Sequence, residues 1–117
     1  MPRQSGTRCW LVATIVMVPV LVTAQGGPTD RQKVDAASAQ RGRAVYAAQC
    51  INCHGSTAKG GANGPDLIRS TAVLRDRLGS HIGPAMRSTP AAHQASLTSA
   101  EIMDLSHFLR DRVEAIV

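Results

Sequence analysis

The chain has 117 residues, with 13 basic and 8 acidic side chains for a formal charge of +5, three cysteines and 3% aromatic residues. That length admits one small domain, and so few aromatics leave its interior short of bulk, which something other than its own side chains has to supply. Two of the basic groups, Arg3 and Arg8, belong to the extreme N-terminus; without them the charge is +3, too little to argue for a nucleic-acid partner.

Arg3 and Arg8 precede an apolar run from Leu11 to Val22, broken only by Thr14 and Pro19 and leading into Val22-Thr23-Ala24. This order predicts a signal peptide over residues 1–24, cleaved after Ala24, and therefore an exported protein. An uncleaved anchor is disfavoured because the run is shorter than a spanning helix and carries Pro19. Cys9 precedes the run, where a lipidation cysteine would follow it; cleavage removes it and leaves Cys50 and Cys53 as the only thiols. Residues 25–35 contain Gly26-Gly27-Pro28 without periodicity and predict a flexible lead-in, with the compact domain at 36–117.

From Ala36 to Gln49 the chain is rich in helix formers, and Ala39, Gly42, Val45, Tyr46 and Gln49 recur at three- or four-residue steps, which predicts a helix. Gly42 costs such a helix about 1 kcal/mol relative to alanine, so another element is expected to pack closely on it. Next comes Cys50-Ile51-Asn52-Cys53-His54. Two thiols spaced by two residues and followed at once by histidine fit covalent haem attachment, the thiols meeting the two vinyl groups and His54 reaching the iron. A zinc site needs four ligands and no second Cys pair exists; a thioredoxin-like site needs βαβ patterning, which is missing. An export signal agrees with the haem reading, since attachment takes place after translocation, in a bacterial periplasm, by an apparatus that keeps the two thiols from closing a disulfide.

Gly55 to Pro65 holds four glycines and no long apolar side chain, and predicts a loop. Asp66 to Leu78 predicts a short helix, started at Ser70 or Thr71 and stopped at Gly79. Gly83 to Pro90 predicts a second loop, carrying Met86. In the last element, Thr98 as N-cap and Glu101 form a capping box, Leu97 is placed to staple against Ile102, and Ile102, Leu105, Leu109, Val113 and Ile116 make an apolar stripe. No strand pattern or internal repeat is present.

Taken in order, Gly42-Arg43-Ala44-Val45-Tyr46, Cys50 to Gly55, Gly64-Pro65-Asp66-Leu67, a loop methionine, Leu97 to Ile102 and Phe108-Leu109 resemble the landmarks of the small monohaem class I cytochromes c, over about residues 39–116. The resemblance implies an all-α fold of three main helices and loops wrapped around one covalent haem c. It implies thioether bonds from Cys50 and Cys53, proximal ligation by His54 Nε2, a hydrogen bond from the other ring nitrogen to the Pro65 carbonyl, and a meeting of Gly42 with Phe108 where the first and last helices cross. Met86 is the expected sixth ligand because it lies in a Gly-Pro loop far enough along the chain to reach round the haem. Met103, His81, His93 and His107 are the competitors, Met103 reading as core filler and the histidines as solvated surface. The family's ligand methionine is often followed by proline, whereas Met86 is followed by Arg87. Arg87, Lys59 and Arg69 are candidates for a propionate or docking contact.

A His/Met-ligated iron has no open position, and no acid–base constellation accompanies it. The expected function is thus an exported, periplasmic electron carrier and not an enzyme, with redox partner proteins as donor and acceptor. Membrane contact is expected only through an uncleaved signal or a membrane-bound partner. A haem subunit of a larger dehydrogenase or terminal oxidase is the alternative; a ligand-binding enzyme or sensor would need Met86 off the iron.

Overall fold

The computed structural model describes residues 31–94 and 96–116. The signal peptide expected at 1–24 lies outside them. Within them the order is α1 (Ala36–Gln49), α2 (Ile51–His54), α3 (Thr71–Leu74), α4 (Ile82–Arg87) and α5 (Ser99–Glu114), with no strand, only an isolated bridge between Gly61 and Gly64. The fold is all-α, as expected, with two long helices, α1 and α5, and three short ones between them.

α1 begins where Asp35, in an extended conformation, accepts the Ser38 amide. Its contact with α5 depends on Gly42: a Cβ there would lie 2.0 Å from the Asp104 carbonyl oxygen. The close approach expected at this glycine is therefore made by the Asp104–Leu105 backbone, while Phe108 meets Tyr46 one turn on, ring centres 5.2 Å apart. Arg41 fastens the outer edge of the crossing through a two-pronged contact with Asp104. α5 carries the expected capping box, Thr98 and Glu101 each accepting the other's amide. Leu105, Phe108, Leu109 and Val113 are buried and join Tyr46, Ala58, Ile68, Val73 and Ile82 in one core. Ile116 falls beyond the helix end and is exposed, so the stripe is one residue shorter than its periodicity.

Two expectations between the long helices are corrected. The helix expected to run to Gly79 stops after Leu74, and the loop expected at Gly83 to Pro90 contains α4. One carboxylate accounts for both. Asp76 is buried and accepts the amides of Gly79 (2.8 Å), His81 (2.8 Å) and Ile82 (2.9 Å) and the hydroxyl of Ser106. It thereby draws the chain out of α3 and satisfies the first amides of α4, two of the donors a helix start leaves orphaned. Pro84, which argued for a loop, sits in that first turn, where no intrahelical donor is required. Arg110, itself buried, donates to the Leu74 carbonyl at the end of α3. Gln32, from the segment expected to be a lead-in, accepts the Leu78 amide at 2.6 Å and borders Ser106 at 3.0 Å.

Candidate haem site

α1 delivers the two cysteines. Its last amide-to-carbonyl bond, Cys50 to Tyr46, passes directly into α2, so Cys50, Cys53 and His54 occupy one helical turn. Cys50 is half-buried, and burial, with Cys53 beside it, pushes its thiol up to about 11; Cys53 is exposed. Tyr46 supports the turn from below, donating from its hydroxyl to the Gly55 carbonyl at 2.5 Å. Burial first and the neighbouring Cys50 second raise that phenol to about 12, so it stays a donor.

The loop after His54 packs largely by backbone, with Ala58 its one buried side chain. Gly55 and Gly60 have φ of +80° and +86°, and a Cβ on Gly64 would lie 2.6 Å from the Cys53 carbonyl oxygen. This closeness carries Pro65 back over the motif, and His54 Nδ1 lies 2.8 Å from the Pro65 carbonyl oxygen. A carbonyl only accepts, so Nδ1 carries the proton and Nε2 keeps its lone pair. His54 is 8% exposed, and an imidazole so placed is oriented for a metal in the manner usual for ligating histidines.

A cavity of about 480 Å³ is bordered by Met86, Arg87, His93, Leu97 and Ile102. Met86 is half-buried on α4 and packs against the core. His93 is half-buried too, and its ring lies parallel to that of His54 within 6°, centres 6.3 Å apart. The chain pins His93 twice to Thr89, through its amide to the Thr89 carbonyl (3.0 Å) and through Nδ1 to the Thr89 hydroxyl (2.7 Å). The remaining competitors sit elsewhere. Met103 is 40% exposed and is not core filler. His81 is exposed, beside Ser80. His107 is buried, not solvated, and its Nδ1 accepts the Asp35 amide. Thr89 and His93 together were not anticipated; the one signal available was their spacing of four.

The family model described as cytochrome C oxidase, cbb3-type, subunit III matches residues 37–109, from the second residue of α1 to the eleventh of α5. The chain belongs to this family. No curated protein and no solved structure matches it significantly. As a member it is a small c-type cytochrome that takes part in electron transfer and binds one haem c covalently, and Cys50 and Cys53 have the spacing this requires. The fold suits such a group at this place: the thiols share one turn, the adjacent imidazole has Nε2 free of described hydrogen-bond partners, and a cavity with Met86, Leu97 and Ile102 in its wall and Arg87 at its border adjoins His54 through His93. Family membership also implies redox partner proteins in general.

Proposed function

We propose that the protein is an exported, periplasmic carrier of single electrons and not an enzyme, its haem joined through thioether bonds to Cys50 and Cys53 and ligated by His54. The bond from His54 Nδ1 to the Pro65 carbonyl is the observation that carries this reading, because it prepares one imidazole nitrogen for iron directly beside the two thiols. When bound, the haem supplies one-electron exchange between ferric and ferrous iron. Pro65 holds the ring in place and raises its basicity. Met86 and His93 both border the cavity, and one second axial ligand from this border would leave the iron no position for a substrate. Arg87, exposed at the cavity's border, offers a cation to a propionate; Lys59 and Arg69, exposed as well but away from that border, suit a docking edge.

The family's description favours a second reading, in which this domain is the haem subunit of a terminal oxidase or dehydrogenase and receives electrons only inside that complex. Intact mass of the exported protein, with a redox titration followed by optical spectra, tests the first statement. One haem adduct on a chain beginning at Gln25 and a reversible one-electron wave are expected; a haem-free mass sinks it. Purification from native periplasm and membranes separates the two readings, a free carrier emerging as a monomer and a subunit retaining its partner.

A further inference from the structure

We infer that His93, and not Met86, is the second axial ligand of the iron, an inference that rests on haem attachment at Cys50 and Cys53 with His54 proximal. A metal–imidazole bond is about 2 Å long and a ring nitrogen lies roughly 1 Å from its ring centre, so two imidazoles in line on one metal have centres about 6 Å apart. His54 and His93 are separated by 6.3 Å. Their planes are parallel, an arrangement open to two rings sharing a metal.

Anchoring of the rings gives a second argument. The Thr89 hydroxyl has one hydrogen and lies 3.2 Å from the Ala85 carbonyl and 2.7 Å from His93 Nδ1. When that hydrogen is directed to Ala85, Nδ1 of His93 donates to the hydroxyl and Nε2 has a lone pair, the tautomer that iron ligation requires. His54 is in the same state through Pro65. Both rings thus have Nδ1 tied to an oxygen and Nε2 without a described hydrogen-bond partner, the anchoring of a metal-bound histidine. His81 has no such pairing across the site, and His107 uses its Nδ1 as an acceptor. Met86 borders the same cavity, but its side chain is packed with the core, from a helix whose first turn is set by Asp76. Leu97 and Ile102 thus remain in the cavity wall whether or not Met86 reaches iron. Ligation by two imidazoles lowers the reduction potential relative to a His/Met pair, which makes the protein a stronger reductant than the expected carrier.

The test uses exported holoprotein whose covalent haem is first established by intact mass, so that lack of haem defeats the functional reading and a different ligand defeats only this inference. The wild-type ferric protein is expected to lack the sulfur-to-iron charge-transfer band. His93→Ala is expected to turn the ferric haem high-spin, to let the ferrous haem bind carbon monoxide, and to regain a low-spin spectrum with added imidazole. His93→Met is expected to introduce the sulfur band and raise the potential, and Met86→Leu to leave the wild-type spectrum unchanged. A sulfur band in the wild type that Met86→Leu abolishes, or a His93→Ala protein that remains low-spin and indifferent to carbon monoxide, overturns the assignment.

Discussion

Replacing Asp76 by asparagine tests whether one carboxylate organises the segment between α3 and α4. Asparagine has nearly the same shape, and its oxygen can still take the His81 and Ile82 amides that Oδ1 accepts, so sterics are not at issue. Its amide nitrogen would stand where Oδ2 now accepts from Gly79, leaving that amide facing another donor, while the Ser106 hydroxyl can turn and accept. Leaving a buried donor unsatisfied costs about 1–3 kcal/mol, and each hydrogen bond that loses its charged acceptor forfeits about 1 kcal/mol. The expected loss is therefore about 3–4 kcal/mol, a large share of the stability of a domain this size. The pH dependence has a definite sign. Burial opposes ionisation of Asp76, but the hydrogen bonds from Ser106, Ile82, His81 and Gly79 together outweigh it and hold the carboxyl below its ordinary range. A group whose folded-state pKa is depressed contributes stability that is present above its unfolded value, about 3.9, and is lost as pH falls through the folded value. Urea unfolding of the two holoproteins between pH 7 and pH 3 should show a gap of several kcal/mol that narrows below about pH 4. A gap under about 0.5 kcal/mol at pH 7, or one that widens on acidification, refutes the reasoning.

Gly42→Ala should destabilise the protein by about 1–3 kcal/mol in urea unfolding, because the overpacking at the Asp104 carbonyl exceeds the roughly 1 kcal/mol that alanine gains in an unobstructed helix. Thr98→Ala removes the cap of α5 and is expected to cost about 1 kcal/mol by the same measurement. Gly64→Ala places a methyl against Cys53; intact mass of the exported chain should show a reduced fraction carrying haem, with the unmodified remainder degraded or misfolded. Tyr46→Phe keeps the ring against Phe108 and deletes the bond to Gly55, and a thermal melt should register a loss of about 1 kcal/mol.

The long helices were legible because each carries its own markers. α1 runs over the predicted Ala36–Gln49, and α5 opens at the predicted capping box, since caps and three-to-four periodicity are local properties of the chain. Gly42 was legible as a crossing point because glycine in a helix interior has a cost that calls for compensation. The middle of the chain was not, because Asp76 binds amides three to six residues ahead of it and a hydroxyl thirty residues away, and only the folded chain brings Ser106 to it. Pro84 misled for a related reason: proline marks a break inside a helix but is tolerated at its start, and nothing local distinguishes the two once the capping group is distant. At the site, Cys50, Cys53 and His54 were conspicuous by spacing, whereas His93 draws its meaning from the parallel ring of His54, which lies 39 positions earlier in the chain. His107, likewise, reads as surface until the Asp35 amide is seen to donate to it.

Apart from Ala58, which is buried in the core, the loop from Gly55 to Pro65 offers two kinds of position. At Gly55, Gly60 and Gly64 main chain meets main chain so closely that even one added carbon finds no room. Between them Ser56, Thr57, Lys59, Ala62 and Asn63 are exposed. Divergence within a lineage, or deliberate redesign, can therefore rewrite the charge and shape that this rim presents to a partner while the scaffold beneath it stays constant. Selection for a new partner and selection for cofactor retention fall on different residues of the same eleven-residue stretch, so each can proceed without undoing the other.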